Sequence, residues 1–172
     1  MSYHDTLVGW HDFYLAGAGA SATFAGLLFV GLSLHIRIVV THPEARSLAR
    51  ITLSDYFIVL LVSLFLLTPT NEPKQTGVEL MAVAVVSLAL LTPPSVRGIR
   101  ARRARTLSLR LLISRFGLSM LGCLALGAIG VLLYLGSTGT ALAMLVGIVL
   151  VLLLVAVRNT WDLLVTVAEK SH

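Results

Sequence analysis

Apolar residues in this chain come in long unbroken runs, separated by prolines and charges, rather than in alternating or one-sided patterns. A helix needs about 20 such residues to cross the hydrocarbon of a bilayer. Five segments meet or approach that length: 13–36, 51–68, 78–93, 116–135 and 141–157. The first and fourth hold no Asp, Glu, Lys or Arg, the second contains Asp55, and the third starts beside Glu79. Barrel strands would alternate polar and apolar positions, and these runs do not.

Prolines fall where ends are expected. Pro43 lies in the first connection, Pro69 and Pro73 in the second, and Pro93 with Pro94 after the third run; Gly136 and Gly139 mark the fourth. Proline lacks the amide proton that continues a helix and biases the residue before it away from helical geometry. The expectation is an all-α integral membrane bundle of five spans, a single transmembrane domain over 1–172. An echo, VSLFLLTP at 62–69 and VSLALLTP at 86–93, ends on opposite sides of that bundle. It reads as a coincidence of two Leu- and Val-rich runs.

Composition agrees. Hydrophobic residues make up 57% of the 172 and charged residues 12%, against about a quarter charged in soluble domains. That is more apolar surface than one water-facing globule hides. The single cysteine, Cys123, excludes an intrachain disulfide and reads as a small packing residue. The first ten residues contain neither Lys nor Arg nor an apolar stretch, so no cleavable signal peptide is expected.

Charge orients the bundle. Of 13 Lys and Arg, Lys74 alone falls on the N-terminal face; Arg37, Arg46, Arg50, Arg97, Arg100, Arg102, Arg103, Arg105, Arg110, Arg115, Arg158 and Lys170 fall on or near the other. Positive residues stay on the cytoplasmic side, which predicts an N-terminus outside and a C-terminus in the cytoplasm of a bacterial inner membrane. The net charge of +5 is concentrated beside apolar runs. It therefore points to anionic headgroups, met above all by Arg97, Arg100, Arg102, Arg103 and Arg105 in the basic loop 97–110, rather than to nucleic acid.

Span one carries a packing pattern. Ala18, Ala22 and Gly26 recur every four residues, as do Gly17, Ser21 and Ala25. Small residues at that spacing let helix backbones approach closely in lipid. Packing within one bundle is the first reading, and an oligomer interface or pore lining is the alternative. Ser119, Cys123 and Gly127 repeat the theme in span four, which makes spans one and four candidate neighbours.

The stretch HDFYLAGAGASATFAGLLFVGLSLHI, followed late in the chain by YLGSTGTALAMLVGIVLVLLLVAVRNTWDLLV, resembles a group of short bacterial inner-membrane proteins, some labelled modulator of FtsH protease. The resemblance covers spans one, four and five. It implies a five-span bacterial membrane protein and brings no active site with it.

Charges at membrane depth are the candidate site. Asp55 and Arg115 lie near the inner boundary, and Arg158 and Asp162 share a helical face four residues apart. Ions in lipid pair or line wet cavities, so Asp55 is expected to pair with Arg115 or Arg158 at an inner mouth, with Ser54 and Asn159 beside it. Structural locking, with arginines reaching out to headgroups, is the simpler role.

Near the N-terminus, Tyr3-His4-Asp5 and Trp10-His11-Asp12 repeat after seven residues and place His4 and His11 on one helical face. Two His and two Asp are a donor set for a divalent metal. The neighbouring Tyr3, Trp10 and Tyr14 fit an interfacial helix instead, and no metal or other cofactor is expected. At the other end, Trp161, Leu164 and Val165 give a short apolar stripe on a helix continuing past 157.

Enzymatic motifs are lacking: no Gly-rich phosphate loop, no His-Glu-x-x-His and no nucleophile elbow. Glu79, Ser63 and Ser87 read as capping and packing residues. The expected function is non-enzymatic association of helices, as a homo-oligomer or an accessory subunit of a membrane complex. The alternative is a small oligomeric channel or transporter with a polar inner mouth near Asp55 and Arg115.

Overall fold

A computed structural model describes residues 3–68, 72–102 and 117–169, with side chains at all of these except 3–6, 43, 44, 93–102 and 169. Among the described residues there are six helices and no strand. These are α1 (Tyr3–Leu34), a short α2 (Ile36–Thr41), α3 (Pro43–Leu66), α4 (Pro73–Arg102), α5 (Leu118–Tyr134) and α6 (Thr138–Glu169). Four of them contain stretches long and apolar enough to cross a membrane: 7–34, 45–66, 73–92 and 138–168. α5 is apolar but shorter, at 17 residues.

Apart from α5, the spanning helices run longer than the apolar runs alone suggest. Pro43 does not lie in a loop; it occupies the first turn of α3, where its missing amide proton costs no hydrogen bond. Pro73 opens α4 in the same way. The third span was expected to stop at Pro93 and Pro94, yet α4 continues through both to Arg102. In a bundle, neighbouring groups can take up the carbonyls that prolines free, here those of Ala89 and Leu90. Arg97, Arg100 and Arg102 are therefore helical, whereas Arg103, Arg105, Arg110 and Arg115 lie outside the described residues.

The turn from α5 into α6 has a local cause. Gly136 adopts φ +93°, a left-handed conformation that suits a residue without Cβ. The Gly136 amide donates to the Leu133 carbonyl at 3.1 Å and the Ser137 amide to Leu132 at 3.0 Å. This is the Schellman arrangement that ends a helix while satisfying its last carbonyls.

At the centre α3 lies against α6. α1 packs on both from one side, while α4 and α5 form a close pair on the other, touching α3 and α6 respectively. Span four is thus chiefly the neighbour of α4 and α6, not of span one. Two apolar clusters fill the interior. One joins Tyr14, Val59, Val62, Leu80, Leu126 and Leu145; the other joins Leu28, Ala45, Leu48, Tyr56, Ala156 and Leu163. Outward positions are apolar too, for example Leu27 and Val30 on α1, Val85 on α4, Leu121 on α5 and Leu154 on α6. Apolar on the inside and on the outside, the bundle has lipid as its natural solvent.

Candidate functional site

A line of polar side chains crosses the middle of this apolar interior. Ser21 of α1 donates from Oγ to the Tyr56 carbonyl of α3 at 2.6 Å. The Phe24 and Tyr56 rings stack at 6.0 Å, fixing the same two helices. The Tyr56 phenol lies 2.9 Å from Thr160 Oγ1 on α6. Thr160 uses its one proton on the Ala156 carbonyl at 2.9 Å, so the phenol is the donor. Tyr56 therefore binds α1 through its backbone and α6 through its side chain.

One residue earlier, Asp55 points to another part of the interior and has no exposed surface. Ser119, in the first turn of α5, donates from Oγ to Asp55 Oδ2 at 2.7 Å. The other carboxylate oxygen, Oδ1, has no hydrogen-bond partner among the described residues, and the same is true of Asn159 Nδ2 on α6. A buried carboxyl with one satisfied and one open oxygen can hold a proton or accept a bound water.

Of the pairings expected from the sequence, Asp55 with Arg115 or with Arg158, the described residues bear on the second alone. Among the described residues no ion pair joins Arg158, exposed on α6, to the fully buried Asp55, whose described partner is the Ser119 hydroxyl. Asp162, one turn further along α6, is half-buried. Arg115 lies outside the described residues. A neutral donor is the less costly arrangement where lipid surrounds the bundle, because a charged partner would itself need desolvation.

The small residues of span one divide between two faces. Gly17, Ala18, Ser21 and Ala25 turn inward, and Gly17 comes close to Ser63 of α3. Ala22 and Gly26 turn outward together with Gly19. A Cβ built on Gly19 or Gly26 would meet nothing within 4 Å.

Among the described glycines, the close backbone-to-backbone approach lies elsewhere, at Gly77 and Gly130 where α4 meets α5. No spacing rule pointed to it, because Gly77 sat just outside the run expected to form span three. The Ser119–Asp55 and Tyr56–Thr160 bonds were equally invisible, each joining residues more than 60 positions apart.

His11 is exposed, with Nδ1 3.4 Å from Asp12 Oδ1. The side chain of His4 lies outside what is described, and no group of three potential ligands converges among the described residues. Trp161, Leu164 and Val165 are exposed near the end of α6.

Fold and site together define an all-helical membrane protein with polar contacts buried between its helices. No family model, curated protein or solved structure matches the chain.

Proposed function

We propose that this chain is a non-enzymatic, five-span bacterial inner-membrane protein that works by helix–helix association, as a homo-oligomer or as an accessory subunit of a larger membrane complex. The observation that carries the proposal is the outward face of α1. Only 22% of its most apolar stretch is buried, against 56% for that of α3, and Gly19, Ala22 and Gly26 stand on the uncovered side. Lipid tails gain little from a groove of small residues, whereas a second helix gains close backbone contact there.

In this reading the N-terminus is outside, and the basic end of α4 and the tail of α6 face anionic headgroups in the cytoplasm. The resemblance to short five-span bacterial proteins points the same way. The test is the mass of the particle purified in mild detergent. Multiples of the 18.4 kDa chain, or a stoichiometric co-purified membrane protein, support the proposal. A lone chain with no partner at any detergent concentration rejects it.

A second reading rests on Asp55, whose open Oδ1 is the kind of buried group that proton and ion pathways use. It predicts flux through liposomes containing this protein alone, abolished by Asp55→Asn. Absence of flux in that assay rejects it.

A further inference from the structure

Between α3 and α4 an open groove of about 380 Å³ runs along the bundle surface, walled by Phe57, Leu61, Phe65, Val86 and Leu90. That size is in the range of small-molecule sites. One acid, Glu79, stands in this apolar lining. Read from the sequence, Glu79 was a capping residue at the start of its span. α4 instead begins at Pro73, nearly two turns earlier, so Glu79 lies inside the helix, beyond the reach of its first-turn amides. Gln75 donates from Nε2 to Glu79 Oε1 at 3.1 Å. Oε2 is buried and has no hydrogen-bond partner among the described residues.

A carboxylate at membrane depth is costly unless something compensates its charge. An acyl chain would suit the walls and leave the acid unpaired. Within the runs 13–36, 51–68, 78–93, 116–135 and 141–157 a second copy of this chain brings no Lys or Arg to meet it, and its Lys74 stands five residues, more than a turn, before Glu79 on α4. The occupant that satisfies both walls and acid is a cation with an apolar body. Phe57 and Phe65 add aromatic rings to the lining, and aromatic rings attract cations. Because only six residues separate the end of α3 from the start of α4 and the two helices lie side by side, they run antiparallel, and Phe65 and Glu79 fall at the same end of the groove.

We infer that the α3–α4 groove is a binding site for an amphipathic organic cation, with Glu79 as its counter-ion and the phenylalanines as its apolar bed. The site lies away from the outward face of α1, so it stands or falls independently of oligomer formation.

The experiment is equilibrium dialysis of labelled tetraphenylphosphonium against the full chain in lipid nanodiscs. The expected result is saturable uptake by the wild type. Tetraphenylborate, of the same shape and opposite charge, should show no saturable uptake. Affinity should fall at least tenfold in Glu79→Gln and in Ala82→Trp, which fills the groove and keeps the acid. Asp12→Asn, an exposed acid on α1, should bind as the wild type does. Helical circular dichroism and melting are read for every variant, and if one groove variant fails to fold, the other decides. Unsaturable uptake, equal binding of the anion, tight binding retained by a folded groove variant, or an equal loss in Asp12→Asn each overturns the site.

Discussion

Gly77 of α4 and Gly130 of α5 face one another so closely that a Cβ on either would lie 2.6–2.7 Å from the other's carbonyl oxygen. Neither backbone can give way without parting the two helices. Gly77→Ala and Gly130→Ala should each destabilise the bundle by about 1–3 kcal/mol, the usual cost of overpacking. The two effects should be strongly sub-additive in the double variant, because both force the same separation. Melting in a fixed detergent reads all three.

Gly122 offers the contrast. A Cβ there would lie 2.5 Å from Leu152 Cδ2, the end of a flexible side chain on α6. Gly122→Ala should therefore cost less than Gly77→Ala, and Leu152→Ala should relieve part of the clash. An equal penalty at both glycines would show that the α5–α6 contact is as rigid as the α4–α5 contact.

Removing the Ser119 hydroxyl strips Asp55 of its one described donor. Ser119→Ala is expected to lower stability by about 1–3 kcal/mol, the cost of a buried acceptor left unpaired. Asp55→Asn should be milder in the presence of Ser119, since its amide oxygen still accepts the bond. Reversible unfolding in mixed micelles measures both, and a Ser119→Ala variant as stable as the wild type would mean that Asp55 finds another partner.

Tyr56 ties α3 to α6 by a neutral hydrogen bond, a class that averages about 0.6 kcal/mol between membrane helices. Tyr56→Phe should lose roughly that much, and Thr160→Ser, which keeps the hydroxyl, should lose less. A double-mutant cycle on Tyr56→Phe and Thr160→Ala isolates the pair.

The outward face of α1 predicts a separation of association from folding. Gly26→Leu or Gly19→Leu should reduce the particle mass in mild detergent while leaving the melting temperature near that of the wild type. Ala18→Leu, on the inward face, should lower the melting temperature, because Ala18 is buried against the bundle. A shift in melting for both faces alike would count against an external interface.

Much of this architecture could be read along the chain. The apolar runs gave the helices, and Gly136 marked the turn into α6. The prolines were harder. Pro43 and Pro73 start helices and Pro93–Pro94 interrupts none, because what proline does depends on which carbonyls nearby groups can satisfy. Asp55 stood out as an acid in an apolar run, but its partner did not, since Ser119 resembles every other serine in these spans.

What the sequence determined by itself is the solvent: uninterrupted apolar runs bounded by charge require helices in lipid, because the energy of transferring side chains and backbone is a local property. What only the tertiary structure decided is which side of each helix faces inward. Ala18 and Ala22 are the same residue one turn apart, yet one is buried and the other exposed. A helix apolar all round carries no stripe to choose between its faces, so the choice falls to close backbone approach and to the few polar partners that neighbouring helices supply.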